Sequence, residues 1–221
     1  MPRSCSVSRS LLVSAVASAG AIGFITGSLP VTSVASQAQE DMLQGMPPEM
    51  LEMMQRWEEY GALRDEHKEM HSTAGTWLVS SKWWMSPDAP PQEQVMISEI
   101  RPFSGGRYMI EEMSGLMDSP QGKMPWTGMA ITGFDNRLGK HTFVWVDSSG
   151  TSMLTGHGDK TAPNQWTFEY EAYDPKYDTI VQRKNVVSRE GDDLQIFDMY
   201  TKEPDGDWFK NMSMTYTRQG V

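Results

Sequence analysis

The sequence predicts a mainly β protein: an antiparallel meander of ten strands closed into a barrel, preceded by one or two short N-terminal helices. Three observations predict it. From Thr76 onward, runs of about ten residues rich in Val, Ile, Thr, Tyr, Phe and Trp are separated by hairpin-length turn signals. No long helical segment interrupts those runs, which excludes a parallel sheet with crossover helices. Several runs mix polar and apolar residues on both faces, as in Trp166, Phe168 and Tyr170 alternating with Thr167, Glu169 and Glu171. A sandwich core is cleanly apolar on one face, whereas a barrel wide enough to hold polar groups, water or a ligand tolerates mixed faces. A half-open barrel with a helix over one mouth is the alternative.

The chain begins with Arg3 and Arg9, continues uncharged from Leu11 to Leu29, and reaches Ser36-Gln-Ala38 before its first acidic residue, Glu40. A basic start, an apolar middle and a small-x-small end predict a secretory signal peptide over 1–38. The competing reading is a retained membrane anchor, since the run is about long enough to span. With the signal removed, no integral membrane segment is expected, and the protein is secreted or periplasmic. Cys5 is the one cysteine and lies inside the signal, so the mature chain relies on its core rather than on disulfides. Net charge is −10, and becomes −12 once Arg3 and Arg9 are gone. That acidity disfavours nucleic acid and anionic membrane surfaces as partners. The oligomeric state is not legible.

Residues 39–72 read as a polar lead and a Met-rich helical cap, and 73–221 as the barrel domain. Pro47 and Pro48 suit a helix start. Met50, Met53, Met54 and Trp57 recur three and four apart over Glu49–Tyr60, which predicts an amphipathic cap packed on the barrel. A second short helix is expected over Ala62–His71. Strands are expected near 76–85, 93–101, 107–117, 125–134, 141–147, 152–158, 165–173, 179–189, 193–202 and 208–218, separated by Pro-, Gly-, Asn- and Asp-rich turns.

The seam between helix and strand is Gly75-Thr-Trp77. Gly75 permits a sharp turn and close backbone approach. Trp77 then plugs the closed end, and its indole N–H needs an acceptor. Tyr216 and Arg218 share one face of the last strand, which neighbours the first in a closed barrel. Arg218 is therefore expected to stack on Trp77, a contact worth about 0.5–2 kcal/mol.

This arrangement resembles the calycin superfamily of lipocalins and fatty-acid-binding proteins, which carry a Gly-x-Trp at the start of the first strand. The lipocalins also have a late Arg packed on that Trp. A closer resemblance covers Glu66 to Arg218. "EHKEMHSTAGTW", "SPDAPPQEQ", "SGGRYMIEEMSG", "GMAITGFDN", "WVDSSGT", "FDMY" and "MTYTR" look like an uncharacterised, often secreted bacterial family, domain of unknown function 1579. It implies a calycin-like fold and no established activity. Fatty-acid-binding proteins clamp a carboxylate with Arg-x-Tyr near the C-terminus. Here the order is Tyr216-x-Arg218, so that clamp does not transfer. Their helices follow the first strand, and here they precede it.

The candidate ligand-binding residues are Trp77, Arg107, Glu111, Trp145, Asp147, Tyr216 and Arg218. Arg107 and Glu111 share a strand face with Met109. Turned inward they form a charged pair for a polar head group, and turned outward a solvated salt-laced face. Trp145 and Asp147 share a face before Ser148-Ser-Gly150, so Asp147 is either a rim carboxylate or a turn cap. His157 is a haem or metal ligand only if it faces the cavity; otherwise it is an ordinary strand histidine, and His141 has a weaker claim. His67 and His71, four apart, are weak metal candidates, extended by Met42, Met46, Met50, Met53 and Met54 toward a soft Cu(I) site. The alternative for all of these is structural packing. No nucleophile elbow, phosphate loop or zinc-protease spacing appears, no catalytic residue is assigned and no cofactor is expected. Four readings remain: a binder of a small apolar or amphipathic molecule, an enzyme using interior Arg107, Glu111 and Asp147, a metal or haem binder, and a structural or interaction module of the envelope.

Overall fold

A computed structural model describes residues 45–119 and 122–220. The expected signal peptide over 1–38, Cys5 and Met42 lie outside the described residues. Contacts divide the chain into a unit ending at Leu51 and a unit from Glu52 onward, and the second contains the barrel.

Two helical segments precede the strands: α1 (Pro48–Gly61) and α2 (Asp65–His71). Pro48 opens α1, followed by Glu49 in its first turn, where a missing donor and a negative charge are both favourable. Helix α2 has Asp65 and Glu66 in its first turn. The His67 ring accepts the Arg64 backbone N–H at 3.0 Å through Nδ1, satisfying a donor at the helix start.

Ten strands follow: β1 (Gly75–Trp83), β2 (Gln92–Phe103), β3 (Tyr108–Ser119), β4 (Gly122–Asp135), β5 (Lys140–Asp147), β6 (Leu154–Ala162), β7 (Gln165–Asp174), β8 (Thr179–Arg189), β9 (Leu194–Lys202) and β10 (Trp208–Arg218). Each pairs antiparallel with the next, and β1 pairs with β10 from Trp77↔Arg218 to Trp83↔Met212. That last ladder closes the barrel, so the half-open alternative is not what forms. Closure removes both sheet edges. All ten expected strands are present, with ends differing by a few residues. For example, the β3–β4 ladder runs out to Ser119↔Gly122, past the expected start of β4.

The strand phase decides which residues enter the barrel. In β1, Trp77, Val79 and Ser81 are buried while Leu78 and Ser80 are exposed. In β2, Met96, Ser98 and Ile100 point inward. The core cluster comprises Trp77, Val79, Met96, Ile100, Met109, Met113, Met214 and Tyr216, with Met70 from α2. Met70 is thus the helical residue that joins the core.

The expected Met-rich cap is corrected here. Helix α1 buries no residue; Met53, Met54 and Trp57 are exposed. The physical reason is that α1 is held by its end rather than its face. Asn136 Nδ2 donates to the Tyr60 and Ala62 carbonyls at 2.8 and 2.7 Å, and Arg107 Nε donates to the Gly61 carbonyl at 3.1 Å. Helix α2 is the segment that packs. His67 and Met70 are buried, Lys160 pairs with Glu69 at 2.6 Å, and Arg189 Nη1 donates to the Glu69 carbonyl at 3.2 Å.

The Gly-Thr-Trp seam is built as the sequence leads one to expect. Gly75 has φ +142°, and a Cβ there would lie 2.6 Å from Arg218 Nη1, so the position has no room for a side chain. The Arg218 guanidinium lies 4.2 Å from the centre of the Trp77 ring and donates to the Ala74 and Ser72 carbonyls at 2.6 and 2.7 Å. Trp77 donates its indole N–H to the Thr73 carbonyl at 2.9 Å. One Arg, one Trp and one Gly therefore lock the helix exit onto the last strand.

Candidate functional site

The ten inward faces enclose a cavity of about 520 Å³, within the range of small-molecule sites. Methionines 70, 96, 109, 113, 199, 212 and 214 line it together with Trp166, Phe143, Phe168, Phe197 and Tyr170. Room for the large rings comes from small residues on neighbouring strands: a Cβ on Gly128 of β4 would lie 2.5 Å from the Trp145 ring of β5. Thioethers and rings give an adaptable apolar wall.

The two ends differ. Where α2 covers the barrel, Met70, Trp77, Ile100, Met109, His141, Trp166 and Tyr216 are all buried. At the opposite end Trp83, Trp126, Trp145, Asp147 and Leu154 are only half-buried, and all five line the cavity. The first end is the floor and the second is the mouth.

Three polar groups sit together near the floor. Ser98 Oγ donates to Glu111 Oε1 at 2.7 Å, and the Tyr216 hydroxyl also donates to the Glu111 carboxylate. Glu111 stands between Met109 and Met113 on β3 and opposite Ile100 and Ala130 on its neighbours. Burial pushes the Glu111 carboxyl above its ordinary value, with the two hydroxyls pulling it back. Burial, then the adjacent carboxylate, pushes the Tyr216 phenol well above its ordinary value. Among the described residues Glu111 has no ion-pair partner.

A second polar group lies on β7 and β8. Arg183 pairs with Asp174 at 3.1 Å, leaving its Nε without a partner. The Tyr170 hydroxyl donates to Asn185 Oδ1 at 3.3 Å, and burial raises its pKa. Near the floor, Trp166 Nε1 donates to His141 Nε2 at 3.2 Å, which fixes that ring as an acceptor at Nε2. Burial holds the His141 pKa below its ordinary value, against the pull of Glu69 and Glu66.

At the mouth, the Trp126 and Trp145 rings stack with centroids 6.1 Å apart. Trp145 donates its indole N–H to Asp147 Oδ2 at 2.8 Å, while Asp147 Oδ1 accepts the Ser149 N–H at 2.7 Å. Asp147 is therefore both a rim carboxylate and a turn cap.

The structure sorts the sequence candidates. Glu111, Trp145, Asp147 and Tyr216 line the cavity. Trp77 and Arg218 form the floor's outer lock. Arg107 is a correction: it precedes β3, is exposed, and binds the end of α1 instead of Glu111. The hydroxyls of Ser98 and Tyr216 take the place expected of the guanidinium. His157 takes the ordinary strand-histidine reading. It is exposed on the outer face of β6, because Gly156 and Gly158 take the inward positions. His67 and His71 are spent on structure, since His71 Nε2 bonds the Gly106 carbonyl at 2.7 Å and His67 caps α2. Arg107, Glu111 and Asp147 do not converge: one is outside, one at the floor and one at the mouth. These three residues therefore do not share one pocket.

Sequence reasoning missed Ser98, Tyr170, Arg183 and Asn185 as site residues. Ser98 was findable, being in phase with Met96 and Ile100. Arg183 was not, because both faces of β8 are polar.

A family model described as a protein of unknown function, DUF1579, matches residues 62–218. No curated protein matches the chain. Among solved structures it is similar to Rv2717c from M. tuberculosis at 12% identity and TM-score 0.48, over 72% of this chain and 100% of that one. It is also similar to a redesigned β-barrel at 16% identity and TM-score 0.34, over 68% of this chain and 95% of that one.

Proposed function

Because this chain belongs to the DUF1579 family of proteins of unknown function, membership brings no activity, and we propose from the cavity alone that it is a non-catalytic binder of one small apolar or amphipathic molecule. The observation that carries this reading is the enclosed space of about 520 Å³ with a Met and aromatic wall, a few polar groups and a mouth at one end. Such a wall supplies affinity by apolar burial, and sparse polar groups supply orientation. The order of basic, apolar and small residues over 1–38 supports export, which would put the binder outside the cytoplasm. A mature N-terminus directly after Ala38 in protein recovered from its host checks that part; a start at Met1 contradicts it.

The test is a titration of the full chain with the neutral fluorescent probe N-phenyl-1-naphthylamine. One saturable site is expected. Ala130 is buried in the cavity wall, so Ala130→Phe should fill the space and weaken binding by at least about tenfold, or 1.4 kcal/mol, with an unchanged circular dichroism spectrum. No saturable binding, or full binding by a folded Ala130→Phe protein, contradicts the proposal.

A further inference from the structure

Among the described residues Glu111 is the carboxylate at the floor of the cavity with no cation beside it; Asp147, which also lacks one, lies at the half-buried mouth. Arg183 has the Asp174 carboxylate at 3.1 Å. Arg189 stacks on Trp166 at 4.5 Å and binds the α2 carbonyl end and Ser72 Oγ. Asp147 is engaged by the Trp145 indole and the Ser149 N–H. Glu111 receives only two neutral hydroxyls, from Ser98 and Tyr216. It does so at the floor of a cavity walled by Met96, Met109, Met113 and Met214. An ionised carboxylate in such a place is costly unless a cation joins it.

Its hydrogen-bonding capacity points the same way. A carboxylate offers about four acceptor positions, and two donors occupy two of them. The remaining positions accept N–H or O–H. Ser98 and Tyr216 also hold the carboxyl in place before any ligand arrives, which lowers the cost of binding. The chain's net charge of −10 favours the approach of cations over anions.

We infer that the ligand of this cavity is an amphipathic amine, whose protonated nitrogen pairs with Glu111 at the floor while its apolar body lies along the Met and aromatic wall toward the mouth. The inference rests on the reading of the cavity as a binding site and adds the chemical class of its occupant. An ammonium supplies both what Glu111 lacks, a positive charge, and what its free positions accept, N–H donors. The unpartnered Arg183 Nε defines the rival, an anionic head group held on β8.

Three probes sharing one chain separate these outcomes: n-octylamine, 1-octanol and octanoate, titrated calorimetrically into the full-length protein at pH 7.5. Octylamine is expected to bind about tenfold tighter than octanol, and octanoate more weakly than either. Glu111→Gln should abolish the preference for the amine while octanol binding stays. Ser98→Ala, which keeps the carboxyl and removes one donor, should retain the preference if Glu111→Gln fails to fold. Equal affinity for amine and alcohol overturns the inference and leaves the cavity reading standing. Tightest binding of octanoate overturns it in favour of Arg183. No binding of any probe overturns both.

Discussion

Glu111 shows how one residue couples the fold to pH. Its carboxyl is raised above 4.5 by burial, so between the unfolded and folded values the native state holds a proton that the unfolded chain releases. Stability from this group is fully present below about pH 4.5 and is lost as pH rises through the folded value. Glutamine does not titrate and keeps an acceptor for Ser98. Glu111→Gln should therefore match the wild-type melting temperature at pH 4 and exceed it at pH 8 in the absence of amine. A difference that is the same at both pH values contradicts this. Glu111 could be singled out from sequence because it shares a strand face with Met109. Tyr216 was legible in the last strand and Ser98 was findable from its phase with Met96, but not that both meet Glu111, because strand phase does not say which side chains touch.

At the scale of the element, the two helices separate pattern from packing. Three- and four-residue spacing of Met53, Met54 and Trp57 marks an apolar face, yet that face is exposed. The seven residues of α2, by contrast, bury a methionine, Met70. Periodicity reports that a helix has an apolar side, but what covers that side is set by the chain on either end. Here Asn136 and Arg107 grip the α1 carbonyl end and leave its face free. Met70→Ala should cost about 2–5 kcal/mol, as for a core methionine, whereas Met54→Ala should stay within about 0.5 kcal/mol. Chemical denaturation of both variants checks this, and equal costs would mean that α1 packs after all. The strands were far more legible than the helices. Turn residues mark where each strand ends, and the alternation in β1 and β2 gives direction. In β8, Arg183, Asn185 and Arg189 face Lys184 and Ser188 across the sheet plane, so composition leaves its inner face undefined.

At the largest scale, the ten strands form a closed barrel with a locked floor and an aromatic mouth. Gly75, Trp77 and Arg218 bind the first strand, the last strand and the exit of α2 into one unit. That lock was visible in the sequence, because Gly-x-Trp and a terminal Arg are brought together by closure alone. The cavity was visible only as mixed strand faces. Its volume depends on how ten strands tilt and on which small residues admit the rings, and neither is encoded locally.

The central claim is that a small molecule occupies this interior, and the protein carries its own probes for that. Met96, Met109, Met113 and Met214 line the cavity, while Met53, Met54 and Met153 are exposed. Methyl-labelled methionine in the full chain, followed by NMR during titration with N-phenyl-1-naphthylamine, reads both sets at once. The account predicts that the interior methyl signals shift and saturate at one equivalent while the exposed ones stay in place. Shifts confined to the exposed methionines, or no shifts at all, would contradict it.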